Sequence, residues 1–132
     1  MSYPPLLRLT LYTRRMEEMV AFYALHFGYT AWGEAGDRLV ELRPPGQGPV
    51  INLHALSKGQ KAGQVLVKLG FEVEDVGAFI AKAAQNGLKF GKPFNANGYQ
   101  FANAKDPAGN SISVTSRGAA QLDLQPWPVA DA

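Results

Sequence analysis

Cysteine is absent from the sequence, so the protein has neither disulfide bonds nor a thiolate that would serve as a nucleophile or metal ligand. No apolar run approaches the ~20 residues needed to span a bilayer. The first residues, MSYPPLLR, lack the basic and apolar regions of a secretory signal. These absences favour a cytoplasmic protein that makes no contact with a membrane.

An excess of charge of one sign is also missing. The net charge is +2, and the 13 basic residues are scattered, with Arg14 and Arg15 as the only adjacent pair. Because nucleic-acid-binding proteins usually carry a clustered basic stripe, no nucleic-acid partner is expected. Neither a Gly-x-x-x-x-Gly-Lys-Ser/Thr phosphate loop nor a Gly-x-Ser-x-Gly nucleophile elbow occurs. The catalytic residues, if any, stay unknown.

What the sequence does contain is one supersecondary pattern written twice. The first copy begins with RLTLYTRRMEEMVAFYALHFGY, residues 8–29, and the second with KLGFEVEDVGAFIAKAAQNGL, residues 68–88. In each copy a strand-like alternation of apolar and polar residues gives way to the apolar spacing of a helix. A glycine, Gly28 or Gly87, ends each predicted helix.

Three short β-compatible segments follow each helix, so each copy predicts a βαβββ unit. They cover residues 29–34, 38–43 and 49–55 in the first copy, and residues 88–91, 99–104 and 111–116 in the second. A chain of 132 residues is long enough for one domain with a real core, and we expect a single domain over residues 1–132. Its expected parts are units at about 6–56 and 65–117, a polar linker at 57–64 and a tail at 118–132.

This repeat resembles the vicinal oxygen chelate superfamily, which includes glyoxalase I, bleomycin-resistance proteins and extradiol dioxygenases. The best local matches are MEEMVAFYALHFGY, similar to the family's first helix, and FANAKDPAGNSISV, which has its turn before the last strand. The likeness covers about residues 6–117. It implies an α+β fold in which two βαβββ units form paired, curved mixed sheets around a cleft.

The resemblance also indicates where metal-dependent relatives hold their ligands, which is at the start of the first strand and in the last strand of each unit. Here those positions are Arg8, Asn52, Lys68 and Ser113. Arginine and lysine have no free lone pair at neutral pH, and asparagine and serine are weak neutral donors. Divalent metals prefer imidazole, carboxylate or thiolate. The sequence therefore predicts no metal site of the family type and no cofactor.

A one-residue shift of the alignment would bring His54 or Glu72 nearer to those positions. It would also turn Leu9, Leu11 and Leu69 into the cleft, because the faces of a strand alternate. The pattern opposes the shift, since residues 9, 11, 51, 53, 67, 69, 71 and 73 are apolar and residues 8, 10, 12, 52, 54, 68, 72, 111, 113 and 115 are polar. The polar set supplies the predicted ligand-binding residues: Arg8, Thr10, Tyr12, Asn52, His54, Lys68, Glu72 and Ser113.

Most of these residues have more than one interpretation. Arg8 and Lys68, expected to face one another, either clamp an anionic ligand or pair with Glu72 or another carboxylate and hold the sheet. Tyr12 and Glu72 hydrogen-bond to a ligand, act as an acid/base pair, or simply line the cleft. His54 either lines the mouth of the cleft or has a structural role. Four aromatic residues either wall a planar ligand or belong to the core: Trp32, Phe94, Tyr99 and Phe101.

Together these observations predict a metal-independent small-molecule-binding protein, similar to bleomycin-resistance proteins and favouring an anionic ligand. The alternatives are a glyoxalase- or dioxygenase-like enzyme with a displaced or absent metal site, and a regulatory ligand sensor, because fold does not settle function. A homodimer is expected, since members of the superfamily of this length commonly pair. The apolar tail residues Leu122, Leu124 and Trp127 would also need cover.

Overall fold

Two helices and two four-stranded sheets make up the computed structural model, which describes residues 7–62, 67–124 and 126. The predicted α+β fold with two βαβββ repeats is confirmed. By their contacts the residues form two compact units, one of Met1–Lys68 with Lys105–Ser111 and one of Leu69–Ala104 with Ile112–Ala132. The single domain over 1–132, with its linker and tail, stays a prediction.

The first sheet is built from the strands β1 (Arg8–Thr13), β2 (Thr30–Gly33), β3 (Leu39–Arg43) and β4 (Val50–Ala55). Their spatial order is β1-β4-β3-β2, in which β1 and β4 run parallel and the other neighbours antiparallel. These bounds lie within a residue of the predicted strands at 29–34, 38–43 and 49–55. A parallel pair needs a long connection, whereas antiparallel neighbours can be joined by a short turn. The helix, β2 and β3 lie between β1 and β4 in the chain and provide that long connection.

The helix α1 (Met16–Phe27) covers the apolar face of this sheet. It ends at Gly28, whose φ of 73° lies in the left-handed region that favours glycine. The negative charges of Glu17 and Glu18 in its first turn lie at the positive end of the helix dipole and stabilise the helix. The buried core of this unit draws on both layers and includes Leu11, Met19, Tyr23, Leu42, Ile51 and Leu53.

The second unit repeats the plan with β5 (Lys68–Glu72), α2 (Val76–Gln85), β6 (Phe94–Asn95), β7 (Gln100–Lys105) and β8 (Ser111–Thr115). The order of its sheet is β5-β8-β7-β6. Asp75 caps α2 by accepting a hydrogen bond from the Ala78 N–H at 3.0 Å. Neither helix in the described part of the chain is long and apolar enough to cross a membrane.

The predicted strand at residues 88–91 was wrong, because the corresponding strand is β6 at Phe94–Asn95. Leu88 and Phe90 are both buried, so their alternation with Lys89 reflects core packing after α2, and the segment touches β7 through the hydrogen bond that the Gly91 N–H donates to the Asn103 carbonyl at 2.9 Å. Proline at position 93 also lacks the N–H that a ladder requires, which delays pairing to the next residue.

The turn between β7 and β8 is organised by a buried carboxylate. Asp106 is 5% exposed, and its Oδ1 accepts hydrogen bonds from the Ala108 and Asn110 N–H groups at 3.0 and 2.9 Å. Its Oδ2 accepts from Asn110 Nδ2 at 2.9 Å and from the Tyr23 hydroxyl at 2.8 Å. Burial, together with the charge of Asp106, raises the pKa of Tyr23 far above its ordinary value of 10.0, so the hydroxyl remains a donor. The two best family-like motifs in the sequence thus meet at one hydrogen-bond network.

Replacing Asp106 by Asn should lower the free energy of unfolding by ~2–4 kcal/mol, because one amide oxygen cannot accept from four donors and a buried donor left unpaired costs ~1–3 kcal/mol. Tyr23→Phe removes a single donor and should cost less. Urea unfolding measures both changes, with the exposed Asp123→Asn as the matched control. Equal stability of the Asp106 and Asp123 variants would contradict the prediction.

Candidate functional site

Five of the predicted site residues lie on one face of the first sheet, opposite α1, which we call the polar face. The register places Thr10 beside Asn52 and Tyr12 beside His54, with Arg8 beside Val50. The residues between them point the other way, where Leu11, Ile51 and Leu53 are buried. The alternation predicted from the sequence is therefore confirmed for this sheet. The polar face carries Arg8, Thr10, Tyr12, Asn52 and His54.

The register adds two residues of β3, Glu41 and Arg43, that the sequence pattern did not assign to the site. Glu41 lies beside Asn52 on one side and beside Trp32 on the other. Arg43, two residues along β3, projects from the same face. The alternation in LVELR already indicated that Glu41 and Arg43 share a face of their strand. Only the pairing of β3 with β4 brings that face to the predicted site.

Glu41 is the electrostatic centre of the polar face, because its carboxylate binds two guanidinium groups. Arg43 Nε donates to Oε1 at 2.8 Å, and Arg8 Nη1 lies 3.0 Å from Oε2. Hydrogen bonds from Arg43 and from Arg8 lower the pKa of Glu41 below its ordinary value of 4.5. Arg8 Nη1 also donates to Asn52 Oδ1 at 3.5 Å, so the sheet is linked from β1 to β3.

This arrangement decides part of the question about Arg8. Arg8 does pair with a carboxylate, and the partner is Glu41 and not Glu72. Because two arginines share one carboxylate, the cluster of Arg8, Arg43 and Glu41 carries a net positive charge. Whether Arg8 also clamps an anionic ligand stays a prediction.

An aromatic ring borders the arginine cluster. The Arg43 guanidinium carbon lies 4.5 Å from the centroid of the Trp32 ring, a distance at which cation–π attraction operates. Trp32 Nε1 donates to Thr30 Oγ1 at 3.1 Å, and the side chain remains 53% exposed. A hollow of about 260 Å³ opens beside it, lined by Trp32, Gly33, Glu34, Asp37, Leu39, Glu41 and Arg43.

His54 and Tyr12 form the opposite end of the polar face. Their ring centroids are 5.5 Å apart with the planes inclined at 53°. His54 Nδ1 lies 2.8 Å from the carbonyl oxygen of Ala55. Tyr12 is 45% exposed, so this pair presents aromatic and polar surface together.

The other predicted site residues belong to the second sheet, where Lys68 and Glu72 lie on β5 and Ser113 on β8. A Cβ at Gly70 would stand 3.7 Å from Ser113 Oγ, so these two residues share a face, and Lys68 and Glu72 follow by alternation. Glu72 Oε2 accepts a hydrogen bond from the Gly118 N–H at 3.0 Å. A ligand role for Lys68, Glu72 and Ser113 stays a prediction.

Three of the aromatic candidates also lie in the second unit. Phe94 and Phe101 stack with ring centroids 5.2 Å apart, while Arg117 Nη1 donates to the Tyr99 hydroxyl at 2.8 Å. Phe94 is 55% exposed and Trp32 is 53% exposed. Their positions in β6 and β2 correspond in the repeat, so these two edge strands each expose an aromatic ring.

The residues at the family's metal positions do not fit a divalent cation. The Arg8 guanidinium is charged and already bound to Glu41, and the Asn52 amide oxygen accepts from Arg8. A metal ion there would meet cationic repulsion and too few anionic or imidazole donors. Across the part of the chain that the structure describes, no three His, Cys, Asp or Glu residues are grouped to hold a metal ion.

The pairing of Glu41 predicts a pH dependence. Because its pKa is lower in the folded protein, Glu41 stabilises the fold fully above its ordinary value of 4.5, and this contribution is lost as pH falls through the lowered pKa. Glu41→Gln should therefore flatten the acid side of the curve of unfolding free energy against pH. Glu34→Gln, an exposed change on the neighbouring turn, is the matched control. Parallel curves for wild type and Glu41→Gln below that pH would refute the assignment.

Known proteins share this fold. The antibiotic-binding protein TnmS3 from Streptomyces sp. CB03234 is 20% identical over 86% of this chain and 96% of its own, with a TM-score of 0.72. A glyoxalase/bleomycin resistance protein/dioxygenase superfamily member from Sphaerobacter thermophilus DSM 20745 is 19% identical over 86% and 97%, with a TM-score of 0.70. No curated protein sequence gives a match. The family model for the Glyoxalase/Bleomycin resistance protein/Dioxygenase superfamily matches residues 6–114, and the chain belongs to that superfamily.

Proposed function

We propose that the protein binds a small anionic molecule on the polar face of its first sheet without using a metal ion. The observation that carries this proposal is the sharing of one carboxylate, Glu41, by Arg8 and Arg43. The shared pairing leaves an excess positive charge, and the two arginine side chains are 54% and 51% exposed. An incoming carboxylate would therefore find attractive donors that are still accessible.

Arg8 has donors to spare for such a ligand. Its contacts with Glu41 and Asn52 both use Nη1, whereas a guanidinium carries five N–H donors in a planar fork. The same contacts restrain the side chain, so less conformational entropy is lost when a ligand binds. The anionic group is expected at the Arg8 end of the cluster, because Glu34 and Asp37 border the hollow near Trp32.

Binding of small organic molecules is also supported by the superfamily. TnmS3, with the same fold, is described as an antibiotic-binding protein. The exposed ring of Trp32 offers a platform for a planar ligand next to the cationic cluster. Metal independence is supported by the two cations, Arg8 and Lys68, at the family's ligand positions. We place the protein in the cytoplasm, in keeping with a sequence that has no cysteine.

A thermal-shift screen of metabolites and drugs, run with and without a chelator, tests the proposal. A ligand at 100 times its dissociation constant should add roughly 2.7 kcal/mol of stability, and the hits should be enriched in carboxylates and other anions. Chelator should change neither the melting temperature nor the hits. A stoichiometric metal whose removal lowers the melting temperature would favour the enzyme alternative.

Arg8→Ala should weaken binding of the best carboxylate hit by ~1.5–3 kcal/mol, the range for a hydrogen bond to a charged group. Stability without ligand should change little, because exposed ion pairs contribute little and Glu41 keeps Arg43. Calorimetry and urea unfolding measure the two effects, and Lys82→Ala on α2 is the control for loss of one positive charge. Strong destabilisation with carboxylate binding intact would make Arg8 purely structural.

We further propose a homodimer. Closed two-fold pairs are the commonest soluble assemblies, and Leu124 in the tail is 72% exposed. Leu122, also expected to need cover, is half-buried, and Trp127 lies outside the described residues. Light scattering should give twice the mass of one chain at micromolar concentrations. A monomer mass across the working range would exclude the dimer.

A further inference from the structure

His54 has a contact that fixes which of its ring nitrogens carries the proton. The Nδ1 atom lies 2.8 Å from the carbonyl oxygen of Ala55, a hydrogen-bond distance, and a carbonyl oxygen only accepts. In the neutral imidazole the proton must therefore reside on Nδ1. The hydrogen bond made by one nitrogen in this way determines the state of the other, so Nε2 keeps its lone pair.

His54 lies on the polar face, where the ligand is proposed to bind. It lies between Tyr12 of β1 and Leu39 of β3, neither of which carries a charged side chain. Leu39 lines the hollow beside Trp32, so His54 stands one strand away from that hollow. Within the residues that the structure describes, no donor is bonded to Nε2.

We propose that His54 Nε2 is the acceptor that recognises a hydroxyl or N–H group on the ligand, at the end remote from the ligand's acidic group. This inference rests on the proposed function in one respect, namely that the arginine cluster binds the acidic group of the ligand. The polar face then has two separate recognition elements. The arginine cluster binds negative charge, and His54 selects molecules that carry a hydrogen-bond donor.

The spacing of the two elements defines the ligand class. Arg8 and Tyr12 are four residues apart on β1, and Tyr12 pairs with His54. With a strand rise of about 3.4 Å per residue, the two elements are separated by roughly 13 Å along the sheet, a span that the long Arg8 side chain shortens. Tyr12, with its ring 5.5 Å from that of His54, adds an aromatic surface beside His54 for the far part of the ligand. The ligand class is an elongated aromatic carboxylic acid with a hydroxyl or N–H at its far end.

Nuclear magnetic resonance tests the proton assignment without any ligand. The chain has two histidines, so long-range proton–nitrogen spectra of protein labelled at histidine nitrogen contain two imidazole patterns, and His54→Phe assigns them. At about pH 8.5, where imidazoles are neutral, His54 should show a protonated Nδ1 and an unprotonated Nε2. The reverse pattern would overturn the proposal.

A matched pair of probes tests the recognition role. The compounds 4-hydroxycinnamate and 4-methoxycinnamate share the carboxylate and the ring, but only the first has a donor at its far end. Wild type should bind 4-hydroxycinnamate roughly tenfold more tightly, the effect of one hydrogen bond, and the Nε2 resonance should shift with that probe alone. His54→Phe should abolish the preference, His54→Gln should retain part of it through its amide oxygen, and His26→Phe should leave it unchanged.

The outcomes separate this inference from the proposed function. Equal affinity of the two probes in wild type, or a preference that survives in His54→Phe, overturns the role of His54. Failure of both probes to bind overturns the ligand class. If Arg8→Ala leaves both affinities unchanged while the preference for the hydroxyl persists, the anionic clamp fails and the assignment of His54 stands.

Discussion

The alternation of side chains across the first sheet is the constraint on which both the core and the candidate site depend. In β1 and β4 every second residue is apolar, and Leu11, Ile51 and Leu53 are buried on the side of α1. The hydrophobic gain on that side fixes the register, since a slip of one residue would expose the apolar set. The other face is thereby left polar, and the placement of the candidate site residues is a consequence of where the core lies.

On the polar face, two cations, Arg8 and Arg43, pair with a single carboxylate, Glu41. Glu41 satisfies Arg8 and Arg43 at once, which stabilises an arrangement of like charges that would otherwise repel. A single carboxylate cannot neutralise both, and this imbalance is what supports the proposal of an anionic ligand.

The turn around Asp106 shows how a local motif acts at long range. Asp106 orders its own loop through Ala108 and Asn110, and it also accepts the hydroxyl of Tyr23, 83 residues away in sequence. A buried carboxylate with four donors is well compensated for its desolvation. The motif therefore contributes to packing against α1, and its resemblance to the superfamily reflects a structural role.

Much of the fold was determined by the sequence alone. Strand and helix periods, the glycine at position 28 and the repeat itself predicted two βαβββ units and the two faces of the first sheet, because these features depend on local patterns of burial. The short alternation at residues 88–91 was misleading, since burial of Leu88 and Phe90 gives the same pattern with or without a paired strand. Only the tertiary structure decided that Glu41 pairs with Arg8 and Arg43, and that His54 Nδ1 faces the Ala55 carbonyl. Those contacts depend on strand neighbours and side-chain rotamers, which a linear pattern does not encode.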